Sequence, residues 1–186
     1  MVPQIKTFAQ YANDITVRMK LRQLSCAVFI ATMTASVTAA QAEVYMARVT
    51  YVTDGDTLWV QPDDGSPTRK LRLQGIDAPE MCQTGGDAAR AALRALVLAQ
   101  RVQVRVRYHD DYGRGLAQIQ LGSNDVAATL VRAGHAWSYR WRSKPGPYAA
   151  EEALARQARL GLFATGQPEQ PRDFRKRHGP CVWVKP

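Results

Sequence analysis

Residues 44–61 read VYMARVTYVTDGDTLWVQ. β-Branched and aromatic residues alternate roughly with small or polar ones on both sides of Asp54-Gly55-Asp56. The pattern predicts two strands, over 44–53 and 57–61, joined by a tight bend. Aspartate suits a bend, but two carboxylates around one glycine also suit a cation, and this stretch alone does not separate the readings. Beyond the turn Pro62-Asp63-Asp64-Gly65-Ser66-Pro67, residues 69–74 (RKLRLQ) alternate basic and apolar side chains. Three strands with short connections form a meander.

Working outward, Ile76-Asp77-Ala78-Pro79-Glu80 interrupts the strand pattern, because proline ends a ladder. Residues 87–100 (DAARAALRALVLAQ) carry Ala, Leu and Arg at helical spacing, with Asp87 near the start. Residues 101–108 (RVQVRVRY) put valines on one face and basic or polar groups on the other, a fourth strand. A fifth, 116–121, follows the turn at 110–115. Two more helices are predicted, over 125–133, closed by Gly134, and over 149–160, closed by Gly161. Five short strands and three α-helices predict a five-stranded Greek-key barrel of the oligonucleotide-binding (OB) type with helices packed on it. The domain would span 43–166. The basic, proline-rich tail, 167–186, would wrap the surface.

The chain has 186 residues, 46% of them hydrophobic, enough to bury a core. Its net charge of +9 favours acidic partners such as nucleic acid, an anionic membrane or an acidic protein. The first 42 residues read as an address. Met19-Lys20-Leu21-Arg22 is a short basic stretch, Leu24 to Val37 is uncharged and apolar or small, and Ala40-Gln41-Ala42 is an A-x-A cleavage signal. The pattern predicts a start at Met19, cleavage before Glu43 and export to the periplasm or medium. A retained membrane anchor is the alternative, though the apolar run is short for a span. Cleavage leaves Cys82 and Cys181, which an exported protein can pair; two free thiols are the other reading. His109, His135 and His178 lack metal-ligand spacing. The DGDTLW stretch lacks the later acids of an EF-hand loop.

Three segments carry chemistry: Asp54-Gly55-Asp56-Thr57, Arg72 to Glu80, and Tyr112 to Ala117. Phosphodiester hydrolysis needs oxygen ligands for a hard cation, a base for water and fixed positive charge aimed at the phosphate. Arginine suits that last role because its planar fork grips two oxygens. Singly, each of these residues reads as a turn acid or a solvated charge; only their joint order raises them above that.

The motifs D-G-D-T at 54–57, R-L-x-x-I-D-x-P-E at 72–80 and D-x-Y-G-R-x-L-A at 110–117 resemble those of the staphylococcal-nuclease-like (thermonuclease) family, in order and in spacing apart from a slight lengthening of the 61–71 hairpin, from about Val44 to Ala164. The resemblance implies a five-stranded OB barrel with three helices. It implies Asp56, Asp77 and the backbone carbonyl of Ala78 as calcium ligands, Glu80 as general base, and Arg72 and Arg114 as phosphate-binding and transition-state-stabilising groups. It also implies cleavage of DNA and RNA with little sequence preference, leaving 3′-phosphate and 5′-hydroxyl ends. Members commonly carry Thr at the position of Ala78 and a basic residue at that of Asp111. Asp54 reads as a bend residue that orients Asp56. Tyr112 either contacts a nucleotide or packs beneath its turn. In Trp137-Ser138-Tyr139-Arg140-Trp141, Tyr139 and Trp141 are predicted to stack on bases and Trp137 to fill the core. Lys176 and Arg177 read as part of a solvated tail. No stable protein partner is implied, and a monomer is expected. The competing reading is an OB-fold module that binds nucleic acid or protein without cutting.

Overall fold

The computed structural model describes residues 42–140, 144–179 and 181. The leader up to residue 41 and Trp141 lie outside the described residues. Strand β1 (Glu43–Val52) is the spine. It pairs antiparallel with β2 (Thr57–Pro62) on one side and with β5 (Arg101–His109) on the other. β2 pairs antiparallel with β3 (Arg69–Leu73), and β5 with β6 (Gly115–Leu121). A parallel pairing, Leu71 with Gly115 through Leu73 with Ala117, joins β3 to β6 and closes the barrel.

The alternation read from the sequence is the alternation of the barrel wall. Val102, Val104 and Val106 of β5 point inward and Arg101, Gln103 and Arg105 outward. They meet Leu58, Val60, Leu71, Leu73 and Ile119 in one core. Burial of this apolar set is the main favourable term, about 25 cal/mol per Å². Register shifts next to Thr50 in β1 and Arg107 in β5 insert one extra residue each, which bends and twists the strands as closure requires.

Helix α1 (Gly86–Val97) lays Ala89, Leu93 and Val97, four residues apart, against the barrel. It ends before the predicted Gln100 because the backbone turns to pair with β1. Ala99 takes φ 62° and donates its N–H to the Val49 carbonyl, and Gln100 accepts from Val49. β7 (Asn124–Asp125) leads into α2 (Val126–Arg132), whose N-cap Asp125 accepts the Ala128 N–H. α3 (Ala149–Gln157) and a 3-10 turn (Gly161–Ala164) enclose a second cluster of Trp137, Ala155 and Phe163.

Two expectations change. The break at 76–77 is a strand, β4 (Ile76–Asp77), paired antiparallel with β8 (Trp137–Ser138). The tail, read without an element of its own, contains one: Pro171–His178 is an α-helix, α4, beyond the three expected. Proline at its start, Asp173 in the first turn, four basic residues in the last and Gly179 beyond it satisfy the helix-end rules. Phe174 and Pro171 are buried on the body. Cys82 and Cys181 form a disulfide that holds the far end.

Candidate active site

The bend at 54–57 is fixed from within. The Asp54 carboxylate accepts the Asp56 N–H at 3.0 Å, an Asx-type closure that aspartate makes readily. Gly55 is required by packing: a Cβ there would lie 2.7 Å from those of Ala78 and Ala89. The bend is thus pressed between α1 and the β4 segment, and the Asp56 side chain is delivered inward at 3% exposure. On the other side Gly75, at φ 82°, turns the chain from β3 into β4 and sets Asp77 beside Arg72.

Arg72 clamps both acids. Its Nη1 donates to Asp56 Oδ1 at 2.8 Å and its Nη2 to Asp77 Oδ1 at 2.9 Å. Asp56 also accepts from the Thr57 hydroxyl at 3.0 Å and the Ala78 N–H at 3.2 Å. Burial pushes the Asp56 carboxyl up to about 7, with the charges of Asp54 and Asp77 adding to it and Arg72 and the Ala78 N–H opposing. For Arg72 burial works the other way, but the carboxylates of Asp56 and Asp77 outweigh it and hold the guanidinium charged. The Asp56 direction follows from placing two further acids beside one wholly buried carboxyl.

Arg114 enters from the β5–β6 turn. Asp110 accepts the N–H groups of Tyr112 and Arg114 through Oδ1, and Arg114 Nε through Oδ2 at 2.7 Å. Arg114 Nη1 reaches the Thr57 hydroxyl at 3.4 Å. Its guanidinium lies 5.4 Å from the centre of the Tyr112 ring, which is 85% exposed. Of the two readings for Tyr112, packing beneath the turn does not describe so open a ring.

A cleft of about 350 Å³ is lined by Asp56, Arg72, Ala78, Glu80, Tyr112 and Arg114, with Asp54, Pro79 and Arg175 completing it. Asp77 stands behind Arg72. A wider groove beside it carries Tyr139, Asp111, Lys144 and Tyr148. Tyr139 is half exposed there, whereas Trp137 is buried against Phe163, ring to ring at 6.0 Å.

Sequence reasoning missed one residue. Arg175, from α4, donates to both oxygens of Asp77 at 3.2 and 3.1 Å and to Glu80 Oε1 at 2.7 Å. The signal existed. A Cys82–Cys181 bridge brings the segment just before Cys181 next to the segment around Cys82, where Glu80 sits. Lys176 and Arg177 instead pair with Asp173 and Glu169.

The donor set is wholly oxygen, two aspartates beside a backbone carbonyl, the chemistry a hard divalent cation takes, often with one or two carboxylates and water. Among the described residues no three His, Cys, Asp or Glu side chains gather into a ready-made cage. Two buried aspartates and an adjacent backbone segment fit an ion that keeps part of its water, and do not fit a transition-metal site of imidazole or thiolate.

The sequence profile described as staphylococcal nuclease homologue matches residues 70–165. A micrococcal nuclease of Shigella flexneri is 34% identical over 143 residues, covering 71% of this chain and 81% of that protein. An uncharacterized endonuclease of Haemophilus influenzae is 32% identical over 130 residues, 70% of this chain and 72% of its own. A probable staphylococcal-like nuclease of Oryza sativa subsp. japonica is 35% identical over 116 residues, and the match spans 32% of its length. The chain therefore spans about a third of that longer plant relative. The profile match stops before α4.

Proposed function

Because the chain belongs to the staphylococcal nuclease homologue family, we propose that it is an exported, calcium-dependent endonuclease. Its substrates are DNA and RNA, cut with little sequence preference to leave 3′-phosphate and 5′-hydroxyl ends. The observation that carries this reading is convergence. Asp56, Arg72, Glu80 and Arg114, from three separate stretches, line one cleft, and Asp77 joins them through Arg72, which lies within 2.9 Å of both aspartates. Export rests on the leader motif and on a disulfide suited to oxidising compartments.

Asp56, Asp77 and the Ala78 carbonyl would hold the calcium ion. When bound, the ion supplies positive charge against the non-bridging oxygens of the phosphate. Arg72, held on the two aspartates, and Arg114 both line the cleft, so charge gathering on the non-bridging oxygens meets positive groups already in place. The Asp110 carboxylate and the Thr57 hydroxyl fix the direction of the Arg114 fork. Glu80 takes a proton from water as the water oxygen bonds to phosphorus. The bond from phosphorus to the 5′ oxygen breaks, and that oxygen gains a proton from solvent. Tyr112 and Tyr139, exposed beside the cleft, offer ring faces to unstacked bases, worth roughly 1–3 kcal/mol each.

The test is digestion of plasmid and of single-stranded RNA with calcium or with a chelator, followed by end-group analysis. Glu80→Gln and Arg114→Ala should fold normally and lose roughly a hundredfold or more in turnover. Binding without cleavage in the presence of calcium would instead establish the non-catalytic OB module.

A further inference from the structure

Asp77 and Glu80 are not free to perform the roles given them above. Both Asp77 oxygens accept from Arg175, and Oδ1 accepts from Arg72 as well. Glu80 Oε1 accepts from the same Arg175 fork at 2.7 Å. One guanidinium from the last helix thus bridges the second aspartate and the proposed base. A positive fork and a divalent cation compete for the same lone pairs, and their mutual repulsion disfavours holding both there.

The helix is well placed to keep the fork there. Phe174 and Pro171 are buried on the body, and the ring of His178 stacks on Phe174 at 4.8 Å. Gln83, three residues beyond Glu80, donates its side-chain N–H to the Glu169 carbonyl just before the helix, at 2.7 Å. Just beyond the helix, Cys181 is bonded to Cys82. Arg175 is therefore tethered at both ends of α4 to the loop that carries Glu80. A tethered group acts at the high local concentration of an intramolecular ligand. Its side chain keeps 39% exposure, so it can swing outward without unpacking the barrel.

We propose that α4 is a covalently tethered latch in which Arg175 competes with the divalent cation for Asp77 and Glu80. The competent site forms only when the fork leaves. The proposal rests on the metal-dependent nuclease reading and deepens it. Apparent ion affinity is the intrinsic affinity multiplied by the fraction of molecules in which the latch is open. An arginine seated nine-tenths of the time weakens calcium about tenfold.

The experiment is calorimetric titration of the full chain with calcium, without nucleic acid. It compares the unaltered protein, Arg175→Ala, Arg175→Gln, and the double variant Cys82→Ser with Cys181→Ser. Thermal melts confirm that each is folded, and Arg175→Gln keeps most of the stem should the alanine variant loosen α4. Both Arg175 variants should bind calcium roughly tenfold more tightly, with the cysteine variant between them and the unaltered protein. The calcium giving half-maximal DNA cleavage should fall by the same factor. Equal or weaker calcium binding by both Arg175 variants, in a protein that cleaves DNA, overturns the latch and leaves the nuclease reading standing. A raised KM for DNA with unchanged calcium affinity would make Arg175 a phosphate-binding group and likewise overturns it. If no form binds calcium or cleaves, the nuclease reading fails first and the latch with it.

Discussion

Arg72 spans two buried carboxylates, so its removal is felt in folding before it is felt in turnover. Arg72→Ala leaves Asp56 facing only the Thr57 hydroxyl and the Ala78 N–H, while Asp77 keeps Arg175. Breaking a buried pair from one side costs roughly 3 kcal/mol. Urea unfolding should show that loss, and calcium should restore part of it by binding only the native state. What was legible at this scale was local. The bend role of Asp54 follows from aspartate chemistry two residues along the chain, and the order of the acids and arginines pointed to one site. Arg72 as a clamp was not legible. It depends on Gly75 folding Asp77 back beside it and on Gly55 letting the bend sit against Ala78 and Ala89, distances that spacing does not encode.

Elements were read best where periodicity was strong. The Val–Arg alternation of β5 and the four-residue spacing of Ala89, Leu93 and Val97 gave strand and helix directly. α4 was missed because its segment is short and very polar, with Pro168 just before it and Pro171 at its first position; tertiary anchors at Phe174 and Cys181 decide it. The seam between α4 and the body also holds a titrating group. His135, just after Gly134 at the end of α2, lines it with Phe174 and Leu162. Burial pushes the His135 imidazole below its ordinary 6.5. In the unfolded chain it gains a proton near that value, whereas in the folded chain it does so only at lower pH. Unfolding therefore takes up protons in that window. The contribution is fully present above about 6.5 and is lost as pH falls toward the folded value. His135→Gln should flatten the dependence of melting temperature on pH between neutral and mildly acidic buffer, measured by calorimetry.

At the scale of the molecule, five strands close into a barrel through one parallel pairing, β3 with β6. Alternation revealed the strands, and the meander was visible from turn lengths. The strand count and order implied a barrel, but not which strands close it: the closing pair joins Leu71 to Gly115 across β4, α1 and β5 and leaves no periodic mark. Leu71 sits on that seam, fully buried with a Cβ-stripped Gly115 opposite. Leu71→Ala should cost roughly 3 kcal/mol, because the rigid wall cannot collapse onto the void. The measured sign would be a lower urea midpoint with an unchanged slope.

The bond between Cys82 and Cys181 has a wider effect than holding one helix. It makes a ring of the polypeptide, enclosing α1, the last two barrel strands, α2, α3 and the final helix. A protease that cuts once anywhere inside that ring yields a nicked protein, not two fragments, and both pieces travel together until a reductant opens the link. Durability against proteolysis would then depend less on resisting the first cut than on staying out of reducing surroundings.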